Sequence, residues 1–315
     1  LKITGDRAFL PITWEDDTMS SVKVGFIGLG NMGMIMARKL AENGVSLTVF
    51  DLRKEAVQSM VARGVKGAAS CREVAEKSDV IISMVRDIPQ TNEVLFGKNG
   101  VWEGIKEGAT IILSSSLSPS YCREIYDRAK ERKVRVIDAP VSTEDRSFTP
   151  GKEFAVLTFM VGGDDDAIKR CMPVFEAMAK NIIPQGGIGT GQACKLVNNL
   201  AMYANGIIAQ ECVNLGLKAG LDLEKMKKAI SLSTGNSRAL MGVGRPSPFP
   251  LPPRPPAGGV HGDKVSTEDL GAKDKRLALE MAEDVGAKTP VVRLMEELDL
   301  ESVYDALAAL KKQSK

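Results

Sequence analysis

Lys195 and Asn199 stand where two polar side chains could do chemistry together. They fall in GTGQACKLVNN (189–199), one helical turn apart. Side chains four positions apart leave a helix on the same face, so both can reach one small ligand. The run that follows, LVNNLAMYANGIIAQECVNLGL, is a long apolar helical pattern with few charges. An ammonium in that setting either snorkels to the helix edge or moves a proton. Apolar surroundings disfavour the charged form and would make a neutral amine available. Taken alone, the segment fits both.

Other proton carriers are scarce. The single histidine, His261, lies beside a proline-rich stretch and reads as a loop residue, so neither a His-rich metal site nor a Ser-His triad is expected. No metal is expected. Cys194 reads as packing and Asn198 as a helix-face residue.

A second constellation is GLGNMG: Gly28, Leu29, Gly30, Asn31, Met32 and Gly33. It follows a predicted strand and opens a predicted helix, the context that the G-x-G-x-x-G fingerprint needs. Gly28 permits the turn, Gly30 lets backbone approach a pyrophosphate, and Gly33 allows close helix–strand packing. Free N–H groups at the helix start favour phosphates. Asp51 ends the next strand, at the spacing of an acid that binds the adenosine ribose. Its charge would repel a 2′-phosphate, which favours NAD over NADP, and Arg53 offsets part of that repulsion.

The elements that must position these groups alternate. Apolar runs at 22–28, 46–51, 79–85, 109–114, 134–140, 155–163 and 181–187 read as strands, with helical stretches such as 31–44 between them. This predicts an α/β fold with a doubly wound, mostly parallel Rossmann-type sheet. After about residue 186 only helical patterns remain, at 190–219, 222–232, 266–286, 289–298 and 301–312. The expected division is a dinucleotide-binding domain over 19–186 and an all-α substrate and oligomerisation domain over 187–315. The long helix joins them, and its apolar faces call for burial between domains or subunits. Residues 1–18 read as an upstream extension, because Met19 before SSVKVGFIG resembles a natural start.

Composition narrows the class. The 315 residues carry 42 Lys and Arg against 40 Asp and Glu, a net charge of +2, which argues against a nucleic-acid partner. No apolar run reaches the roughly 20 residues that cross a bilayer. The five cysteines form no CxxC pair and read as free thiols in a reducing compartment, the cytoplasm.

GFIGLGNMGMIMARKL, DAPVS, LTFMVGG and GTGQACKLVNN, in this order, resemble the β-hydroxyacid dehydrogenase family, which includes 3-hydroxyisobutyrate dehydrogenase. The resemblance runs from residue 22 to about 312. It implies that Lys195 is the catalytic lysine, that Asn199 and Ser142 bind substrate, and that Lys273 closes over the nicotinamide. It also implies cofactor contacts at Met84, Val85, Ser115 and Ser116, and a homodimer or homotetramer. Arg86 replaces the usual proline of that pattern. Thr143 and Glu144 follow Ser142 where the family has two glycines, and the proline-rich stretch 242–259 falls where it has ordinary helix, with Val265 at an aromatic position. These departures at 142–154 and 242–264 are either specificity changes or reading-frame errors in the gene. The implied function is NAD-dependent interconversion of a small β-hydroxyacid and its semialdehyde. The alternatives are a 6-phosphogluconate-type dehydrogenase and a catalytically impaired NAD-binding scaffold.

Overall fold

The computed structural model describes residues 22–143, 156–243 and 267–297. The expected extension 1–18, Glu144, most of the proline-rich stretch, His261, Val265 and the helix expected at 301–312 lie outside the described residues.

Six strands run parallel in the order β3-β2-β1-β4-β5-β6. They are β1 (Lys23–Ile27), β2 (Ser46–Phe50), β3 (Lys66–Gly67), β4 (Val80–Ser83), β5 (Thr110–Leu113) and β6 (Arg135–Asp138). Their connections carry α1 (Asn31–Glu42), α2 (Lys54–Val61), α3 (Cys71–Glu76), α4 (Ile88–Phe96), α5 (Val101–Gly104) and α6 (Pro119–Lys130). VIIS and TIIL are buried at every position because helices cover both faces. Alternate side chains divide between two cores. Ile82 and Ile112 join Phe26 and Met36 on one face, and Ile81 and Ile111 join Leu95 and Ile125 on the other. The strand order reverses between β1 and β4, which is where a doubly wound sheet opens its ligand crevice.

Beyond β6 the chain bends at Ala139-Pro140 into β7 (Val141–Thr143), then continues as β8 (Leu157–Gly163), α7 (Asp165–Met178) and β9 (Asn181–Gly186). β8 is antiparallel to β6 and β7 and parallel to β9. Ser142 and Thr143, outside the strands expected from the sequence, belong to the sheet and pair with Thr158 and Leu157. Three residues are too short a strand to show alternation.

The rest is helical: α8 (Thr190–Lys218), α9 (Leu223–Ser231), α10 (Arg238–Gly242), α11 (Thr267–Asp284) and α12 (Pro290–Glu297). The 29 residues of α8 make a rod about 43 Å long. Leu196, near its start, packs on Leu277 and Ala278 of α11, and Ala209 and Val213 pack on Leu240 of α10. Val197 and Leu215 are 59% and 72% exposed, so the described residues do not cover every apolar face of α8.

Candidate functional site

The crevice is built from loops at the carboxyl ends of β1, β2, β4 and β5, faced by the start of α8 and by α11. Gly28 has φ +96°, and a β-carbon there would overlap the Met84 carbonyl oxygen at the end of β4. A β-carbon on Gly33 would overlap the Gly28 carbonyl oxygen. Above Gly30 there is open space, so bare backbone and the amino end of α1 are accessible to a pyrophosphate. These observations fit a dinucleotide. Asn31 is exposed in the first turn of α1, while Met32 is half-buried and packs on the core. Gly33→Val is expected to weaken NADH binding by about tenfold or more, since loop and helix must part. Fluorescence titration beside a thermal melt measures it, and unchanged affinity would refute the packing argument.

Asp51 lies just past β2, half-buried. Burial pushes its carboxyl up, but hydrogen bonds from Arg53 and the Leu29 amide outweigh this and hold it below the usual value. The loops after β4 and β5 are laced together, with the Val85 amide donating to Ser115 Oγ at 2.9 Å. Lys273 of α11 crosses to both, donating from Nζ to the Arg86 carbonyl at 2.9 Å and the Ser116 carbonyl at 3.1 Å. Burial lowers its pKa, against the neighbouring Asp274 and Asp87.

Lys195 is partly buried in the second turn of α8. Burial lowers its pKa to about 8; the Asp274 carboxylate opposes the shift and the Lys273 ammonium adds to it. Asp274 is buried and accepts from Asn199 Nδ2 at 2.7 Å and Tyr203 OH at 3.4 Å, with Lys273 Nζ 3.7 Å from its other oxygen. Asn198 Nδ2 donates to Asn199 Oδ1 at 3.1 Å. Asn199 and Lys273 therefore meet at one buried carboxylate, which also acts electrostatically on Lys195. Ser142 lies on β7, which pairs with β8, and a β-carbon on Gly191 of α8 would meet the Met160 carbonyl of β8. Among the described residues no group of three or more His, Cys, Asp or Glu side chains could hold a metal ion.

Three residues of this assembly were not singled out by sequence reasoning: Asp274, Asp138 and Gln192. Asp138, fully buried at the end of β6, accepts from the Gly189 amide at 2.6 Å and the Gln192 amide at 2.7 Å. Burial raises its pKa, and those amides pull it back. The Gln192 side chain donates to the Ser115 carbonyl at 2.8 Å and accepts from the Leu117 amide at 3.0 Å. The turn that precedes Lys195 is thus fixed to the sheet and to the loop after β5. Their positions inside DAPVS, GQACK and GAKDK were visible, but the partners they hydrogen-bond lie 51 to 77 residues away.

A doubly wound sheet with a glycine turn, an acid after the second strand and a lysine at the crevice is the arrangement expected of a nucleotide-dependent oxidoreductase. A family model described as the NAD binding domain of 6-phosphogluconate dehydrogenase matches residues 23–187. One described as the NAD-binding domain of NADP-dependent 3-hydroxyisobutyrate dehydrogenase matches 189–312. The chain belongs to the β-hydroxyacid dehydrogenase family. It is 36% identical over 273 residues to a probable mitochondrial 3-hydroxyisobutyrate dehydrogenase of Dictyostelium discoideum, covering 85% of this chain and 82% of that one. It is 35% identical over 269 residues to an NAD-dependent L-serine dehydrogenase of Pseudomonas aeruginosa, covering 85% and 88%. A Mycobacterium tuberculosis 3-hydroxyisobutyrate dehydrogenase structure with L-serine matches with TM-score 0.71 at 27% identity, over 92% of this chain and 99% of that one. The chain is accordingly an NAD(P)-dependent hydroxyacid dehydrogenase.

Proposed function

We propose that this enzyme interconverts a small β-hydroxyacid, of the 3-hydroxyisobutyrate or serine kind, and its semialdehyde, with Lys195 as the proton carrier. The observation that carries this is a partly buried lysine with a pKa near 8, held on α8 beside Asn199 and Asp274. In oxidation the neutral amine of Lys195 takes the hydroxyl proton. In reduction its ammonium returns that proton to the carbonyl oxygen. The bound nicotinamide supplies hydride transfer to or from the carbinol carbon. Asn199, fixed by Asp274 and Asn198, orients the substrate oxygen, and Ser142 binds the substrate carboxylate. Gly28, Leu29, Gly30, Asn31, Met32, Gly33 and Asp51 hold the dinucleotide's adenosine and phosphates. Met84, Val85, Ser115, Ser116 and Lys273 line its nicotinamide end.

The division at residue 186 is supported by the family models, which meet between 187 and 189. The exposed apolar side chains of α8 support assembly into a homodimer or homotetramer. Five free cysteines support a reducing compartment such as the cytoplasm.

The test is NAD(P)H formation or oxidation, by absorbance, across a panel of small hydroxyacids and semialdehydes as a function of pH. For the oxidation direction kcat/KM should rise as pH passes through about 8, because the deprotonated lysine is the active form. The reverse reaction should decline over the same span. A chain that binds NADH yet turns over no member of the panel would refute the assignment.

A further inference from the structure

Lys23 opens β1, Ser46 opens β2 and Lys66 opens β3, at the amino ends of parallel strands and so at the edge of the sheet opposite the crevice. Partners on neighbouring strands project to the same side of a sheet. The register pairs Lys23 with Ser46 and Thr48 with Lys66, and Ser46 and Thr48 stand two apart, so all four share one face. On that face a β-carbon at Gly25 would overlap Val74 and Ser78, so α3 and the turn after it lie against the sheet there. Glu76 and Lys77 at the carboxyl end of α3, with Lys106 after α5, complete the lining of an open hollow of about 540 Å³.

The charges around this hollow do not cancel. Lys77 Nζ donates to Glu73 Oε1 at 2.5 Å, and Glu76 accepts from Arg72 Nε at 2.7 Å, so each of these pairs closes on itself. Asp79 accepts from the main-chain amide of Lys23 at 3.0 Å and does not line the hollow. Among the described residues Lys23, Lys66 and Lys106 make no ion pair. Like charges gathered in a concavity focus the field and concentrate counter-ions there. Beneath them lies Thr48, 5% exposed, whose hydroxyl has no hydrogen-bond partner among the described residues. Buried hydroxyls are ordinarily hydrogen-bonded. Both features ask for one kind of ligand, a compact anion with many oxygens that accept from ammoniums and hydroxyls together. A diphosphate group has that charge density, and a single carboxylate does not.

We propose that this hollow is a second anion site, separate from the dinucleotide crevice, which takes a small molecule bearing a diphosphate group. Isothermal titration calorimetry of the full-length protein with inorganic pyrophosphate tests it, at low ionic strength and with saturating NADH so that the crevice is filled. One pyrophosphate should bind per chain. Lys66→Gln/Lys106→Gln should weaken that binding by about tenfold or more, and Thr48→Val by about threefold, while NADH affinity stays within about twofold. Lys66 and Lys106 are exposed, so the double variant should fold, and it carries the test if Thr48→Val does not. Lys225→Gln/Lys228→Gln removes the same charge from exposed positions on α9 and should leave pyrophosphate affinity unchanged. An equal loss in that variant would show general attraction to a cationic surface and overturn the site. Binding that survives in Lys66→Gln/Lys106→Gln, or a wild type that binds no pyrophosphate once NADH is present, would overturn it as well.

Discussion

Lys195→Met is expected to lower kcat/KM by about 10²–10⁴-fold in both directions, the range that a positioned proton carrier supplies, with NADH affinity changed by no more than a few-fold. Methionine keeps most of the apolar stem, so the packing of α8 on α11 should survive. Lys195 lies on α8, whereas the proposed phosphate cradle lies at the start of α1. A variant retaining more than a tenth of wild-type turnover would assign the proton to another residue. Asp274→Asn is the informative companion. The Asp274 carboxylate favours the ammonium form of Lys195, so removing its charge should lower the lysine pKa below about 8. The rising limb for oxidation then moves to lower pH, and the falling limb for reduction moves with it. A limb that stays in place would show that a different group titrates.

What could be read from the sequence was local. GLGNMG between an apolar run and a helical period, the acid after the next run, and a lysine and asparagine one turn apart each declare themselves within a few residues. The strands were legible because both faces are covered, which leaves uninterrupted apolar runs such as VIIS. β7 was not, because it is three residues long and is defined by its partner β8. Asp138, Gln192 and Asp274 escaped for a related reason. Each is an ordinary polar residue whose meaning comes from burial and from distant partners, such as the bond between Asn199 and Asp274 across 75 positions. Arg53 was legible only as a charge. That it occupies the acceptor positions on Asp51 is a matter of geometry.

Asp138→Ala is expected to cost about 3–5 kcal/mol of stability and to lower turnover in whatever enzyme remains folded. The deletion strands the Gly189 and Gln192 amides, both bonded to the carboxylate through buried contacts. Hydrogen bonds to a charged group contribute about 1.5–3 kcal/mol each, and both amides lose that partner. The functional effect follows from connectivity. Asp138 fixes the first turn of α8, Gln192 ties that turn to Ser115 and Leu117, and Lys195 stands less than one turn further on. Loosening the turn moves the lysine relative to the loop after β5, the proposed nicotinamide end, and small displacements of that kind reduce rates steeply. Chemical denaturation gives the stability change. The deuterium isotope effect on turnover of the folded variant separates the two roles. A misplaced lysine slows the hydride-transfer step and raises the effect toward its intrinsic value. An unchanged isotope effect and normal turnover per folded molecule would confine Asp138 to holding the fold.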